Sequence, residues 1–189
     1  RDKLLEETDY ILEVEQSKMI SEACKHLPNT RFPKYYSDLS TDRIITMDWM
    51  DGEHLSTFAK TNNDSALSNK LGQALWDFYM YQIHNLKMVH ADPHPGNFLI
   101  SKEGELMIID FGCVKQIPDE FYQPYFELAD PHLLKNDLLF TEKLYQLEVL
   151  REDDTEQEVA FFKIMFHELL ELFTRPLISD SFDFTDQSY

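Results

Sequence analysis

An acidic loop followed by a second short acidic motif constrains this chain more than any other feature. The loop reads HADPHPGN over residues 90–97, and the motif DFG over residues 110–112 begins thirteen residues after the asparagine. Carboxylate and amide oxygens are the ligands that Mg²⁺ prefers, and phosphoryl chemistry depends on placing such cations against phosphates. The order of the residues therefore predicts Asn97 and Asp110 as metal ligands and Asp92 as the catalytic base that accepts a hydroxyl proton.

The segment between the two motifs predicts a β-hairpin. Two short apolar runs, 97–100 and 106–110, flank a polar turn that contains Gly104. Such a hairpin would place Asn97 at its entrance and Asp110 at its exit, at the same end. Each of these residues alone fits a turn-capping role equally well. The joint pattern with the hairpin favours a metal and nucleotide site.

Two histidines in the loop, His90 and His94, offer a zinc site as an alternative. No cysteine or further clustered histidine accompanies them, so a packing or hydrogen-bonding role that holds the loop in shape is the better interpretation. Pro93 and Pro95 fix their own backbone angles and restrict the residues before them, which predicts a rigid loop.

A hinge-like segment precedes the loop. Residues 43–52, RIITMDWMDG, read as an apolar strand that ends in an acidic and aromatic stretch and Gly52. We interpret it as a hinge in which the backbone carbonyl of Asp48 and the backbone groups of Met50 meet the adenine edge of a nucleotide. The alternative is an ordinary edge strand and turn, and the position ahead of the loop favours the hinge.

The chain opens with a predicted acidic helix. Asp2 to about Lys25 contains no Gly or Pro and carries apolar residues at helical spacing. Taken alone, its acids are most simply explained as a solvated face. Residues 7–16, ETDYILEVEQ, however, resemble the ELDYxxEAxN signature of the UbiB family of atypical kinases, also called AarF-domain or ADCK kinases. HADPHPGN and DFG match the family's motifs without a change. The signature helix differs from the family's pattern at Thr8, Val14 and Gln16.

The resemblance implies roles for three acids of this helix. Glu13 would pair with a lysine of the small lobe, while Glu7 and Asp9 would form an inhibitory or gating contact near the nucleotide. In the family that lysine, a KxGQ element and an alanine-rich nucleotide loop precede the helix. The chain begins at Arg1, so we expect a fragment of the kinase-like domain. The resemblance further implies ATP and Mg²⁺ (or Mn²⁺) as cofactors. It also implies a lipid or quinone-precursor substrate or a membrane-associated partner, in support of isoprenoid quinone (coenzyme Q) biosynthesis or related lipid metabolism.

Fold class follows from the motifs and the helical pattern together. We expect an α+β, protein-kinase-like fold with a partial small lobe over 1–51, a helical large lobe over 52–178 and a tail over 179–189, with Gly52 at the lobe junction. An apolar stripe predicts a buried helix beneath the catalytic loop, and three further helices follow the DFG motif. The predicted helices cover about 65–85, 121–128, 137–150 and 155–173.

The path after the DFG motif bears on the substrate. Helix-like sequence resumes within about ten residues, without the Ala-Pro-Glu that closes the activation segment of protein kinases. This favours ATP hydrolysis or phosphotransfer to a small or lipid-like molecule. Two alternatives stay open: an aminoglycoside or choline phosphotransferase relative, which Pro93 after Asp92 and the acidic helix disfavour, and a nucleotide-binding module without turnover.

Composition excludes some partners. With 17 basic and 35 acidic residues, the formal charge of −18 argues against nucleic-acid binding and against unaided adsorption to anionic lipid. The sequence holds no apolar run long enough to span a membrane, and no signal peptide is visible. Cys24 and Cys113 are isolated, which fits a reducing compartment: the cytoplasm, the interior of a mitochondrion or plastid, or the periphery of a membrane there.

Overall fold

The chain has two compact units, Arg1–Gln116 and Ile117–Tyr189, in a computed structural model that describes residues 10–186 and 188. The first unit combines helices with short strands, which follow one another without intervening α-helices over its last third, and the second unit is helical. The predicted α+β class is therefore confirmed. Of the predicted acidic helix, the structure describes the part from Tyr10 onwards, so Glu7 and Asp9 lie outside the described residues.

Short strands in the first unit form a four-stranded sheet in the order β1-β5-β4-β2, and a separate two-stranded ribbon joins β3 to β6. Within the four-stranded sheet β1 runs parallel to β5, and the other pairs are antiparallel. The elements are α1 (Tyr10–Cys24), β1 (Thr30–Arg31), β2 (Glu53–His54), α2 (Leu55–Thr61), α3 (Ser65–Tyr81), β3 (Met88–His90), β4 (Phe98–Ile100), β5 (Leu106–Ile108) and β6 (Val114–Gln116), with a π-helical turn at Gln82–Leu86 and 3₁₀ turns at Ser37–Leu39 and Pro95–Asn97.

The hairpin predicted between the two acidic motifs is confirmed. β4 and β5 pair antiparallel with Phe98 opposite Ile108, and all six of their residues are buried. Gly104 adopts a positive φ of 73° in the connecting turn, where a side chain would be strained. The Ile109 N–H donates to the Asn97 carbonyl at 3.1 Å, which closes the open end of the hairpin and places the two motifs side by side.

The helix predicted beneath the loop is also confirmed, as α3. Asp64 caps its start by accepting hydrogen bonds from two backbone N–H groups, and the helix buries Leu71, Ala74 and Phe78. The side chain of Phe111 is fully buried, with its ring centroid 6.3 Å from that of Phe78. The core of this unit therefore continues directly into the DFG motif.

The strand predicted over 43–52 is wrong. Only isolated bridges form there, between Tyr35 and Met47 and between Thr41 and Ile44. The cause is local side-chain bonding. The Ser40 hydroxyl accepts from the Thr46 N–H at 3.0 Å, and the Thr46 hydroxyl donates to the Leu39 carbonyl at 2.7 Å. Such bonds compete with the ladder that a strand would need.

Gly52 lies where two backbones approach closely. A Cβ at this position would lie 2.6 Å from the carbonyl oxygen of Ile100. Because Gly52 directly precedes β2, the pairing of β2 with β4 requires a glycine here. Gly52 belongs to the first unit, which extends to Gln116. The lobe division expected at Gly52 stays a prediction.

The second unit packs four helices around its own apolar core. They are α4 (Asp119–Glu127), α5 (Pro131–Leu134), α6 (Asp137–Gln146) and α7 (Glu156–Thr174), and a 3₁₀ turn follows at Arg175–Leu177. Thr155 and Glu158 form a capping box at the start of α7. The helices predicted after the DFG motif are thus confirmed, with α6 ending four residues early. None of the helices in the described residues is both long and apolar enough to cross a membrane.

Candidate active site

The entrance to the acidic loop is held by a buried glutamine. The side chain of Gln82 is fully buried and accepts a hydrogen bond from the His90 N–H at 2.9 Å through Oε1. Its amide nitrogen donates to the Phe78 carbonyl at 3.1 Å. Sequence reasoning missed Gln82, although a polar residue at the end of an apolar helical stripe was a usable signal. It ties the loop to α3 through the π-helical turn, a feature frequent at functional sites.

The two loop histidines have structural roles, as predicted. Nδ1 of His94 accepts from the Gly96 N–H at 3.0 Å and caps the 3₁₀ turn. The imidazole of His90 is buried, with its ring 5.7 Å from that of Phe111. Burial lowers the pKa of His90, which favours the neutral ring. Within residues 10–186 and 188, no group of three or more His, Cys, Asp or Glu side chains is arranged to hold a metal ion.

The predicted base and one predicted metal ligand are hydrogen-bonded to each other. Nδ2 of Asn97 donates to both the backbone carbonyl and Oδ2 of Asp92, each at 3.1 Å. The amide nitrogen is therefore engaged, which leaves the amide oxygen of Asn97 as its group for a cation. Asp92 keeps one carboxylate oxygen outside this bond.

The second predicted metal ligand is oriented by the glycine of its own motif. The Gly112 N–H donates to Oδ1 of Asp110 at 2.8 Å, and no other donor reaches the Asp110 carboxylate from the described part of the chain. A Cβ on Gly112 would lie 3.3 Å from Oδ1 of Asp110 and 3.5 Å from Cδ of Glu13. The glycine thus permits two carboxylates to approach from different elements.

Part of the acidic loop is tied to the segment after Gly112. The Ala91 N–H donates to the Cys113 carbonyl at 2.7 Å, next to the β3 and β6 ribbon. The hairpin and the ribbon therefore bring the acidic groups into one open cleft of about 490 Å³. Its lining residues are Tyr10, Glu13, Ile45, Asp92, Asp110, Gly112 and Cys113.

The predicted adenine-binding positions do not line this cleft. The Asp48 carboxylate accepts from the Tyr36 hydroxyl at 2.8 Å and from the Lys34 N–H at 3.3 Å, and the Asp48 N–H donates to the Lys34 carbonyl at 2.9 Å. Met50 is half-buried beyond it. The roles of the Asp48 and Met50 backbones at an adenine edge stay predictions.

The Glu13 carboxyl is partly buried in this cleft, close to the charge of Asp110. Partial burial raises the pKa of the Glu13 carboxyl, and the charge of Asp110 raises it further. Residues 10–186 and 188 contribute no Lys or Arg to an ion pair with Glu13. Several carboxylates facing one cleft repel each other and would repel phosphates unless a cation or a lysine lies between them.

Glu13 should make stability depend on pH. A carboxyl with a raised pKa favours folding while protonated, so this contribution is present below its ordinary pKa of 4.5 and is lost as pH rises through the folded-state pKa. We expect Glu13→Gln, in EDTA, to raise the melting temperature at about pH 7 but not at about pH 4. The control is Glu15→Gln, at an exposed position of the same helix. Equal pH profiles for the two variants would contradict this role of Glu13.

Tyr79 is a second residue that sequence reasoning missed. Burial raises the pKa of its hydroxyl to about 12, and the charge of Asp92 adds to the effect. The hydroxyl has no hydrogen-bond partner in the described part of the chain. The sequence did not single out Tyr79, because a tyrosine beside the buried residues of α3 is most simply explained as part of the core.

Comparison with known sequences identifies relatives. The sequence model of the ABC1 atypical kinase-like domain matches residues 1–142. AarF domain-containing kinase 1 of Drosophila melanogaster is 29% identical over 130 residues, which cover 65% of this chain and 24% of that protein. The Arabidopsis thaliana protein ACTIVITY OF BC1 COMPLEX KINASE 1, chloroplastic, is 30% identical over 113 residues, which cover 60% of this chain and 17% of that protein. The chain thus spans a quarter or less of the length of these two relatives.

A solved structure shares the fold. Rv3197 of Mycobacterium tuberculosis, solved as a complex with erythromycin, superposes with a TM-score of 0.73 at 22% sequence identity. The match covers 95% of this chain and 45% of Rv3197. Together with the domain match, this confirms the predicted kinase-like fold.

Proposed function

The chain belongs to the ABC1 atypical kinase-like domain family, and on that premise we propose that its acidic cleft binds an adenine nucleotide with Mg²⁺ or Mn²⁺ and acts on the γ-phosphate. One observation carries the proposal. The cleft is lined by Asp92 and Asp110, and Asn97 is hydrogen-bonded to Asp92. This is the set of groups that phosphoryl transfer needs for a base and for cation ligands.

The donor groups suit magnesium. The amide oxygen of Asn97 and Oδ2 of Asp110, the carboxylate oxygen that does not accept from Gly112, are hard ligands. Mg²⁺ usually takes one or two protein ligands and completes its coordination shell with phosphates and water. When bound, the cation would neutralise charge on the phosphate oxygens. Asn97 and Asp110 would therefore hold it. The carboxyl of Glu13 would then face an Asp110 carboxylate whose negative charge is offset by the cation.

Asp92 would act as the base. In the proposed step, the oxygen of a water or hydroxyl group forms a bond to the γ-phosphorus and passes its proton to the Asp92 carboxylate. The bond between the γ-phosphorus and the bridging oxygen breaks, and ADP leaves. The hydrogen bond from Asn97 would hold Asp92 in position, which makes Asn97 a positioning residue as well as a ligand.

For the acceptor, we propose water or a small or lipid-like molecule. The short path from Gly112 to α4 supports this, because it offers no long segment on which a protein substrate could lie. The family resemblance favours a role in isoprenoid quinone or related lipid metabolism. Four matched relatives from Arabidopsis thaliana carry the word chloroplastic in their names, which supports an organelle interior as the location.

Formation of ADP from ATP by the full-length protein, with water as the acceptor and with a total lipid extract added, tests the proposal, because it reports both hydrolysis and phosphotransfer. We expect turnover with Mg²⁺ and none with EDTA, with no requirement for choline or an aminoglycoside. Consumption of ATP only when choline or kanamycin is added would favour a small-molecule phosphotransferase. Mg²⁺-dependent binding of ATP without any turnover would favour a nucleotide-binding module, and would contradict the catalytic part of the proposal.

A further inference from the structure

A second cleft in the first unit carries positive charge on a strongly acidic chain. It encloses about 820 Å³ between the C-terminal half of α1 and residues 30–35. Four cations and two carboxylates line it, whereas the whole chain has 17 cations and 35 acids. The local charge is therefore opposite in sign to the net charge of −18. The charged lining residues are Lys18, Lys25, Arg31, Lys34, Glu22 and Asp48.

Two of the four cations already face carboxylates. Lys25 pairs with Glu22, one turn earlier on α1. The guanidinium of Arg31 lies 4.0 Å from the carboxylate of Glu105. These two cations offer less to an incoming anion, because their charge is partly compensated.

The other two cations, Lys18 and Lys34, pair with no carboxylate of the described residues. Nζ of Lys18 donates to the Ser37 hydroxyl at 3.0 Å, a neutral partner. Nζ of Lys34 lies 5.0 Å from the ring centroid of Tyr36. The Asp48 carboxylate accepts from the Lys34 backbone N–H rather than from its ammonium group. Two uncompensated ammonium groups thus border one cleft.

The rest of the lining is apolar or already bonded. Met19, Phe32 and Pro33 contribute apolar surface, and the Met19 side chain is 45% exposed. The hydroxyls of Ser21 and Thr30 donate to backbone carbonyls at 2.6 and 2.9 Å, respectively. Binding of an anion would therefore rest on the two ammonium groups, while an attached apolar group would contact Met19 and its neighbours.

We propose that this cleft binds a phosphate monoester that carries an apolar group. Each of the two ammonium groups can donate a charge-assisted hydrogen bond to a phosphate oxygen, and ligand clefts of about 300–1,000 Å³ are large enough for a small phosphate ester. The proposed nucleotide cleft is lined by carboxylates instead and contains neither Lys18 nor Lys34. Such a monoester occurs either as a soluble metabolite or as the headgroup of phosphatidic acid.

Titration with phenyl phosphate, in EDTA and without nucleotide, tests the site. We expect a shift of the Met19 methyl resonance in methionine-labelled protein, and weaker binding of inorganic phosphate, which lacks the ring. Lys18→Gln and Lys34→Gln should each weaken phenyl phosphate binding about tenfold. Lys60→Gln is the matched control, because Lys60 is an exposed lysine of α2 outside the cleft. Equal binding by all four proteins, or no Met19 shift, would overturn the proposal.

Vesicles separate the two sources of the ligand. If the ligand is a lipid headgroup, phosphatidylcholine vesicles that contain phosphatidic acid should retain the wild type but not Lys18→Gln or Lys34→Gln. If it is a soluble ester, phenyl phosphate should bind and the vesicles should not retain the protein. Because no Mg²⁺ or ATP is present, failure of this test leaves the proposed function untouched.

Discussion

Replacement of Asp92 by Asn should lower ATP turnover about a hundredfold or more while Mg²⁺-dependent nucleotide binding persists. An amide at this position cannot take up the proton that the attacking oxygen loses. The amide oxygen can still accept the hydrogen bond from Nδ2 of Asn97, which spans 3.1 Å in the wild type, so the loop should keep its shape. The measurement is the steady-state rate of ADP formation, with kcat and KM determined separately.

The matched control for this loss is Asp42→Asn. Asp42 is exposed and lies outside the acidic cleft. Its replacement changes the net charge by the same amount and should leave both constants unchanged. If Asp92→Asn raises KM and leaves kcat unchanged, the result would contradict a role as base and would instead indicate a role in nucleotide binding.

Replacement of Asp110 by Asn should remove most of the metal-dependent affinity for nucleotide. The variant loses the anionic ligand but keeps an oxygen that can accept from the Gly112 N–H, which donates at 2.8 Å in the wild type. At a nucleotide concentration of about 100 times Kd, ligand binding stabilises a protein by about 2.7 kcal/mol. A hundredfold weaker variant would gain only about 0.4 kcal/mol at the same concentration.

Chemical denaturation with and without MgATP measures this difference. Wild type and Asp42→Asn should show the full gain with Mg²⁺ and little gain with EDTA. Asp110→Asn should show little gain in either condition. The same ATP-dependent stabilisation in wild type and Asp110→Asn, with and without EDTA, would remove Asp110 from the metal site.

Sequence predicted the parts of the site that depend on short-range order. The hairpin between Asn97 and Asp110 was predictable, because both strands and the turn at Gly104 lie within one short segment. The buried face of α3 was predictable from its apolar spacing for the same reason. These features need no knowledge of how distant segments pack.

The features that escaped prediction depend on packing between distant segments or on competing side-chain bonds. Gln82 acquires its role only when the π-helical turn brings it to the N–H of His90. The strand expected over 43–52 failed because Ser40 and Thr46 bond to the backbone there. The basic cleft was also missed, since Lys18 and Lys34 lie on different elements that meet only in the folded unit.

Electron paramagnetic resonance of Mn²⁺ measures metal binding at the proposed site directly. With ATP present, we expect the full-length wild type to bind Mn²⁺ and to broaden its spectrum, and we expect Asp110→Asn and Asn97→Ala to lose most of that bound signal. Asp42→Asn should bind as the wild type does. Equal binding of Mn²⁺ and ATP by wild type, Asp110→Asn and Asn97→Ala would contradict the assignment of Asn97 and Asp110 as the ligands that hold the metal against the nucleotide.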